Sequence, residues 1–263
     1  MLSNPCDAPE AAAARAGQED PLVMYLVVRR SVPAGYDTLL TLAARACLAC
    51  RDRYGSDPAW REVFRAWDGS SFRKVVLRAG EREWERLVTE EQGVVQVMDP
   101  CDRPLVAGLA PRARSARSAL LGRLQVYGPA PGDLPDLPGP MAGTRSPTML
   151  LVVNPALRGR MSAGKAMAQA GHAAMMGAAA GDLGADAAWL LALQDWVRDG
   201  RRIVPVRAMP AGWERALAEL DGVVVVDRGL TEIEPGSRTV MALRPCLGEA
   251  TVRCLEVLAD GGA

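Results

Sequence analysis

The chain has 263 residues, enough for one large domain or two of ordinary size. Hydrophobic residues make up 49% and charged residues 24%, the balance of a globular protein, and the formal net charge is zero. No global positive field draws such a body to nucleic acid, so any contact of that kind needs a local basic patch. No run of apolar residues is long enough to span a bilayer, and the first twenty residues lack the basic start and apolar stretch of a secretory signal. A cytoplasmic protein with no membrane partner is the expectation.

Taken in chain order, residues 1–21 are Ala-rich and polar and read as a disordered tail. Residues 22–126 then read as a first domain. It opens on the strand-like run Met24 to Arg29 and continues through the Ala-rich stretch Ala43 to Ala49. An amphipathic stretch beginning at Trp84 follows, then a Val-rich run from Gly93 to Asp99. Cys47 and Cys50 have zinc-knuckle spacing, but no second such pair or paired His follows, so no metal site is expected. Two small residues on a buried helix is the simpler reading. Residues 127–148 contain six prolines and several glycines and read as an extended linker.

The second domain, 149–263, predicts a strand over 149–153 and a helix over 162–178. A helix over 186–199, a strand over 202–207 and a helix over 211–220 follow. Strands over 223–227 and 237–243 and a helix over 247–259 complete it. The two domains repeat the same landmarks in the same order. Met24–Arg29 matches Met149–Asn154, Trp84 matches Trp213, and Asp99 matches Asp227. The fold class is therefore α/β: two tandem three-layer domains, each a small mixed four-stranded sheet between helices.

Two segments carry chemistry. In the first, Ser162 is a plausible N-cap that places Lys165 in the first helical turn, beside free backbone N–H groups and the positive dipole end. Lys165, Gln169 and His172 stand at i, i+4 and i+7 and share one helix face, which is also the spacing of an ordinary solvated stripe. His172 is the only histidine, and Lys74 and Lys165 are the only lysines in an Arg-rich chain. A compact, tunable amine is something that guanidinium cannot replace. In the second segment, Asp227 ends an apolar strand, and Thr231, Ser237 and Thr239 supply hydroxyls around turns at Gly229 and Gly236. Gly159 to Lys165 also fits the start of a phosphate-cradling P-loop, but Ala166 stands where the magnesium-binding hydroxyl belongs.

The strand run Leu150 to Val153, the pattern M-x-x-G-K-x-x-A-Q-x-x-H-A-A and the later D-x-G-x-T-x-I-x-P-G-S-x-T together resemble the type II peptidyl-tRNA hydrolases over about 110 residues of the second half. The resemblance implies hydrolysis of the ester that joins a peptide to tRNA, a compact mixed-sheet domain, and no metal or organic cofactor. It also implies Lys165, His172, Asp227 and Thr231 as catalytic residues, with Gln169 and Ser237 binding substrate; beside them, Arg158 and Arg160 are local basic residues read here as substrate-binding. On that reading Asp227 and Thr231 handle the water. Lys165 and nearby backbone N–H groups take the oxyanion or the terminal phosphate. Arg201, Arg202 and Arg207, with Arg112, Arg114 and Arg117 of the first half, are further basic candidates for tRNA.

The family usually continues its first strand as R-x-D-L, where this chain has Asn154-Pro-Ala-Leu157. The first half departs further: Thr41, Arg45 and Leu48 replace Lys165, Gln169 and His172, although Arg29 is kept at the Asn154 position. It reads as a catalytically dead copy. Because family members commonly form homodimers, an intramolecular pseudo-dimer follows as a hypothesis. The rival readings are a non-catalytic tRNA- or protein-binding module and, with less support, a P-loop-like nucleotide binder.

Overall fold

The Val-rich runs form strands and the Ala-rich runs form helices. In a computed structural model of the chain, the described residues are 20–70, 72–134, 145–157, 159–180, 186–229 and 232–259. The tail at residues 1–19 and the middle of the linker, 135–144, lie outside them.

The first half begins with β1 (Leu22–Arg29), α1 (Tyr36–Tyr54), α2 (Arg61–Asp68) and β2 (Arg73–Ala79). It continues through α3 (Glu81–Glu90), β3 (Val94–Met98) and β4 (Pro104–Ala113), and closes with α4 (Ala119–Arg123) and β5 (Gln125–Val126). The second half contains β6 (Thr148–Val153), α5 (Ala163–Ala178), α6 (Ala187–Arg198) and β7 (Arg202–Arg207). It ends with α7 (Pro210–Glu219), β8 (Gly222–Val226), β9 (Arg238–Leu243) and α8 (Glu249–Ala259). Nearly every boundary expected in the second half lies within a residue or two of the observed one, as strongly patterned segments allow.

The sheets run β3-β4-β1-β2-β5 and β7-β6-β9-β8. In both, the first strand is parallel to the second and antiparallel to the fourth, and the third is antiparallel to the fourth. The four-strand frame therefore recurs in order and direction. The first sheet adds a fifth strand, the two-residue β5 on the edge of β2, so it is not the four-stranded sheet expected. A side-chain detail also recurs. Trp67 and Trp196, each with no exposed surface, donate their indole N–H to the carbonyls of Arg73 (3.0 Å) and Arg202 (2.7 Å), where the next strand starts.

Each sheet has helices on both faces, as the sequence predicts. Alternation along β1 sends Val23, Tyr25 and Val27 toward Trp84 and Leu87 of α3 and Leu121 of α4. Along β6 it sends Leu150 and Val152 toward Trp213 of α7 and Leu258 of α8. The other faces do not close separately. Met24, Leu26, Met149 and Leu151 belong to one core with α1, α2, α5 and α6, so the inner helices of both halves form a shared middle layer.

Small residues make that layer possible. Ala43, Ala46 and Cys47 on α1 and Ala166, Ala170 and Gly171 on α5 are wholly buried or small enough to let the axes approach closely. At Gly171 an added Cβ would stand 2.5 Å from the Cys47 Sγ. Cys47 and Cys50 are thus core residues of the helix crossing.

Linker residues on either side of the undescribed stretch are tied down. The Tyr127 N–H donates to the Val76 carbonyl (2.9 Å), and Thr148 pairs with Cys246. The extended linker expected from its prolines contains a short 3-10 turn, Pro131–Asp133. Residues 20 and 21, read as tail, are anchored too, because the Asp20 carboxylate accepts from the Ser115 N–H (2.8 Å).

Gly171→Ala tests the helix crossing. Alanine favours a helix by about 1 kcal/mol over glycine, yet overpacking here is expected to destabilise by about 1–3 kcal/mol. Adding Cys47→Ala to that variant should recover most of the loss, as read by denaturant midpoints.

Candidate active site

Helix α5 begins where Ser162 accepts the Lys165 backbone N–H on its hydroxyl (3.2 Å), the cap that the sequence predicts. One turn on, Gln169 is buried. Its amide nitrogen donates to Asp227 Oδ2 (2.7 Å), and Lys165 forms an ion pair with the same oxygen. The other carboxylate oxygen of Asp227 accepts from the Gly229 N–H (2.7 Å). The Thr239 hydroxyl lies 3.1 Å from both Gln169 Oε1 and the Val225 carbonyl, which fixes the amide with its NH2 toward Asp227. The result is a connected chain, Thr239–Gln169–Asp227–Lys165, whose ion pair is only 12% and 3% exposed at its two side chains. Taking one partner from so buried a pair typically costs about 3–5 kcal/mol.

This cluster lies on the wall of a cavity of about 560 Å³ between the halves. Lys165, Gln169, His172 and Asp227 face it from the second half. Tyr25, Phe72, Lys74, Arg114 and Arg117 face it from the first, and Tyr127 from the linker. Both lysines of the chain therefore meet in one cavity. With Arg114, Arg117 and Arg228 they make it basic on a body with no net charge, and among the described residues only Asp227 and Glu232 oppose them on its lining.

His172 does not join Lys165 and Gln169 at Asp227, although the three share a helix face. Its Nδ1 lies 3.1 Å from Lys74 Nζ, and its ring packs 5.1 Å from that of Phe72. Burial holds the imidazole pKa well below its usual value, and the charges of Lys74, Lys165 and Arg228 push it the same way. Burial also brings the Lys74 ammonium down to about 7, an effect that Cys47 and Asp68 oppose and Arg51 reinforces.

Two of the N–H groups expected to be free at the start of α5 are already engaged. The Ala163 N–H donates to the Pro129 carbonyl (2.9 Å), and the Lys165 N–H to the Ser162 hydroxyl. Glu232 accepts from the Ser162 N–H (2.7 Å) and hydroxyl (2.8 Å), so a carboxylate already occupies the positive end of the dipole. An oxyanion therefore finds fewer backbone donors here than the sequence suggests, and the P-loop reading loses part of its phosphate cradle. The linker lies so close that a Cβ on Gly164 would sit 1.9 Å from the Tyr127 carbonyl oxygen.

The remaining candidates divide. Ser237 touches Asp227 through its backbone carbonyl, which accepts the Asp227 N–H (2.8 Å), and it does not line the cavity. Arg160 is exposed and away from the cavity lining, while Thr231 and Arg158 lie outside the described residues. Arg112 and Arg201 are neutralised by Glu91 and Asp52. Asn154 has a structural task. Its amide donates to the Arg238 carbonyl (2.7 Å), and its oxygen accepts the Ala156 N–H (2.9 Å), pinning the turn after β6.

The first half shows what replaces the cluster. Asp99 is buried like Asp227, but its own loop saturates it. Arg103 donates to Oδ2 from Nε (2.9 Å) and Nη2 (2.7 Å), and the Cys101 and Arg103 N–H groups each donate to Oδ1 (2.9 Å). Arg29 is bound to Glu81 (3.1 Å).

Residues 147–258 match the family model described as Peptidyl-tRNA hydrolase PTH2. A peptidyl-tRNA hydrolase from Pyrobaculum aerophilum is 38% identical over 104 residues, which cover 36% of this chain and 83% of the relative. The chain belongs to the type II peptidyl-tRNA hydrolase family. The family match takes in Lys165, Gln169, His172 and Asp227, whereas Phe72 and Lys74 stand outside it in the other half. Sequence reasoning missed Lys74, Phe72 and Tyr25 as cavity residues. The available signal was the rarity of lysine.

Lys74 has a consequence for stability. Its folded pKa of about 7 lies below the ordinary 10.5, so the buried charge is a full penalty below about pH 7. Between those values the folded protein has released the proton and the unfolded chain retains it, so the penalty fades as pH rises. Lys74→Met should therefore raise the Tm relative to wild type at pH 6, by more than it does at pH 10, in parallel thermal melts.

Proposed function

We propose that this protein hydrolyses the ester bond of peptidyl-tRNA, releasing peptide and free tRNA, at a single site in the cavity between its halves. The observation that carries this reading is the buried Lys165–Asp227–Gln169 cluster on the wall of a basic cavity. In the proposed reaction a water, oriented by Asp227 and Thr231, attacks the ester carbonyl while Asp227 takes its proton. The Lys165 ammonium moves its charge onto the developing oxyanion. Collapse breaks the acyl–oxygen bond, the ribose oxygen takes up the proton held by Asp227, and the peptide leaves as a carboxylic acid. Gln169 holds Asp227, His172 positions substrate, and Ser237 holds the Asp227 loop through its backbone. No cofactor has a part in this scheme.

The tRNA end would enter past Arg114, Arg117 and Arg228, with Arg158 and Arg160 as outlying phosphate contacts. The recurring four-strand frame and the paired Trp67 and Trp196 support a tandem duplication. Residues 22–126 would be the degenerate copy and 149–263 the catalytic domain, joined by 127–148 as an intramolecular pseudo-dimer. A cytoplasmic setting beside translation fits this activity. The second reading, a binding module without turnover, is favoured by one observation: two N–H groups at the start of α5, those of Ala163 and Lys165, are filled by Pro129 and Ser162.

Release of labelled acyl-amino acid from N-blocked aminoacyl-tRNA tests the choice. Asp227→Asn keeps the shape and an acceptor for Gln169, and should lower turnover by at least about a hundredfold. Full turnover in that variant would remove Asp227 from the chemistry, and tRNA binding without turnover in wild type would leave the binding module. Replacing Arg114 and Arg117 together by Ala should reduce the slope of log affinity for tRNA against log salt by about one to two. An unchanged slope would take the phosphates elsewhere.

A further inference from the structure

Lys74 is a cation without a carboxylate. Among the described residues no acidic side chain forms a salt bridge with it. Asp68, a carboxylate that acts on its charge, is already paired with Arg51. The Nζ sits instead over the rings of Phe72 (3.7 Å) and Trp67 (4.6 Å) and contacts His172 Nδ1 (3.1 Å). Two aromatic faces stabilise an ammonium without neutralising it. The backbone is bent for this purpose: Phe72 has φ of 54°, a left-handed conformation costly for a bulky residue, and its ring lies between Trp67 (4.3 Å) and His172 (5.1 Å). On the other side, the missing side chain of Gly171 gives room to the Lys74 stem, whose Cδ and Cε lie 3.4 Å from where its Cβ would be.

We infer that Lys74 is a positioning residue that the degenerate copy supplies to the site of the other half: it donates to Nδ1 of His172 and leaves Nε2–H as the donor edge of the ring. An ammonium offers only protons, so the nitrogen facing it must present its lone pair, and the single ring proton of a neutral imidazole then resides on Nε2. His172 lines the cavity, and among the described residues Nε2 has no hydrogen-bond partner. A neutral Nε2–H is suited to a carbonyl or ribose oxygen and keeps that capacity across the range in which a free imidazole would gain a second proton. The groups facing this pair are Cys47 and Arg51 from α1, Trp67 and Asp68 at the end of α2, Lys165 from α5, and Arg228 from the loop after β8. Among them the Cys47 thiol, pushed up to about 11 by burial, stays protonated near neutrality. The loss of the Lys74 proton near pH 7 sets the upper limit of the arrangement. The inference deepens the proposed site and rests on that reading only for its kinetic consequence.

The test uses the single histidine of the full chain, whose ring nitrogens give one unassigned-proof set of resonances. Proton–nitrogen spectra are recorded from pH 5 to pH 8 on wild type, Lys74→Met, Lys74→Gln and Lys74→Arg, each checked for folding by its melt. Wild type should show the Nε2–H tautomer and a midpoint well below about 6.5. Removing the charge in Lys74→Met should raise the midpoint by about one pH unit or more and mix the tautomers. Lys74→Gln should raise it similarly if the methionine variant does not fold. Lys74→Arg should restore the Nε2–H form. A wild-type ring protonated on Nδ1, or a midpoint and tautomer unmoved by loss of the charge, would overturn the inference. In the esterase assay at pH 6.5, kcat should fall about tenfold in Lys74→Met with KM little changed, and recover in part in Lys74→Arg. An absence of turnover in wild type would defeat the hydrolase reading while leaving the spectroscopic result to stand or fall separately.

Discussion

The close packing of α1 against α5 is the constraint on which the remaining structure depends. Each sheet needs its inner face covered, and neither covers it alone, because Met24 and Leu26 of one and Met149 and Leu151 of the other drain into a single core. Alanines, a glycine and a cysteine at the crossing allow the close approach, with Gly171 facing Cys47. Close packing of this kind transmits a change at one residue to its neighbours across the boundary. It also sets the distance between β2 and the cavity-facing side of α5, and so creates the cavity in which Lys74 meets His172.

The same frame carries two buried aspartates with different surroundings. Asp99 is closed by Arg103 and two N–H groups from its own loop. Asp227 keeps one local donor, the Gly229 N–H, and draws its side-chain partners from a helix far away in sequence, where Lys165 and Gln169 open onto the cavity. A carboxylate whose donors are all local is a structural fastening. One whose donors line a cavity has partners able to exchange with a substrate, which is why the proposed chemistry falls on the second half. On the proposed reading, the first half contributes shape and charge instead of a second site.

Much of the frame was legible in the sequence. The Val-rich run at 202–207 coincides with β7, and Ser162 marks the start of α5, because burial on both sheet faces and N-capping are local demands written in residue type. Trp84 and Trp213 stand at matching places in the order of landmarks, and both indoles are buried against their sheets. Helical spacing placed Lys165, Gln169 and His172 on one face, but it said nothing about which neighbour each would meet. His172 meets Lys74, 98 residues away, and Ser162 meets Glu232, 70 residues away. Such pairings follow from the docking of the halves and the return of a loop. The docking of the linker carbonyls onto α5 was equally hidden, since prolines foretell an extended backbone and not where it lies.

The central claim is that the acylated end of tRNA occupies the cavity between the halves. Its most direct test is photo-cross-linking from a tRNA whose 3′ end bears an amide-linked, non-hydrolysable aminoacyl mimic with a photoreactive side chain, followed by peptide mapping of the full chain. The account predicts adducts on both sides of the cavity, in the segment containing Phe72 and Lys74 and in α5 around Lys165 to His172. Adducts confined to the outer helices, or to the second half alone, would contradict it.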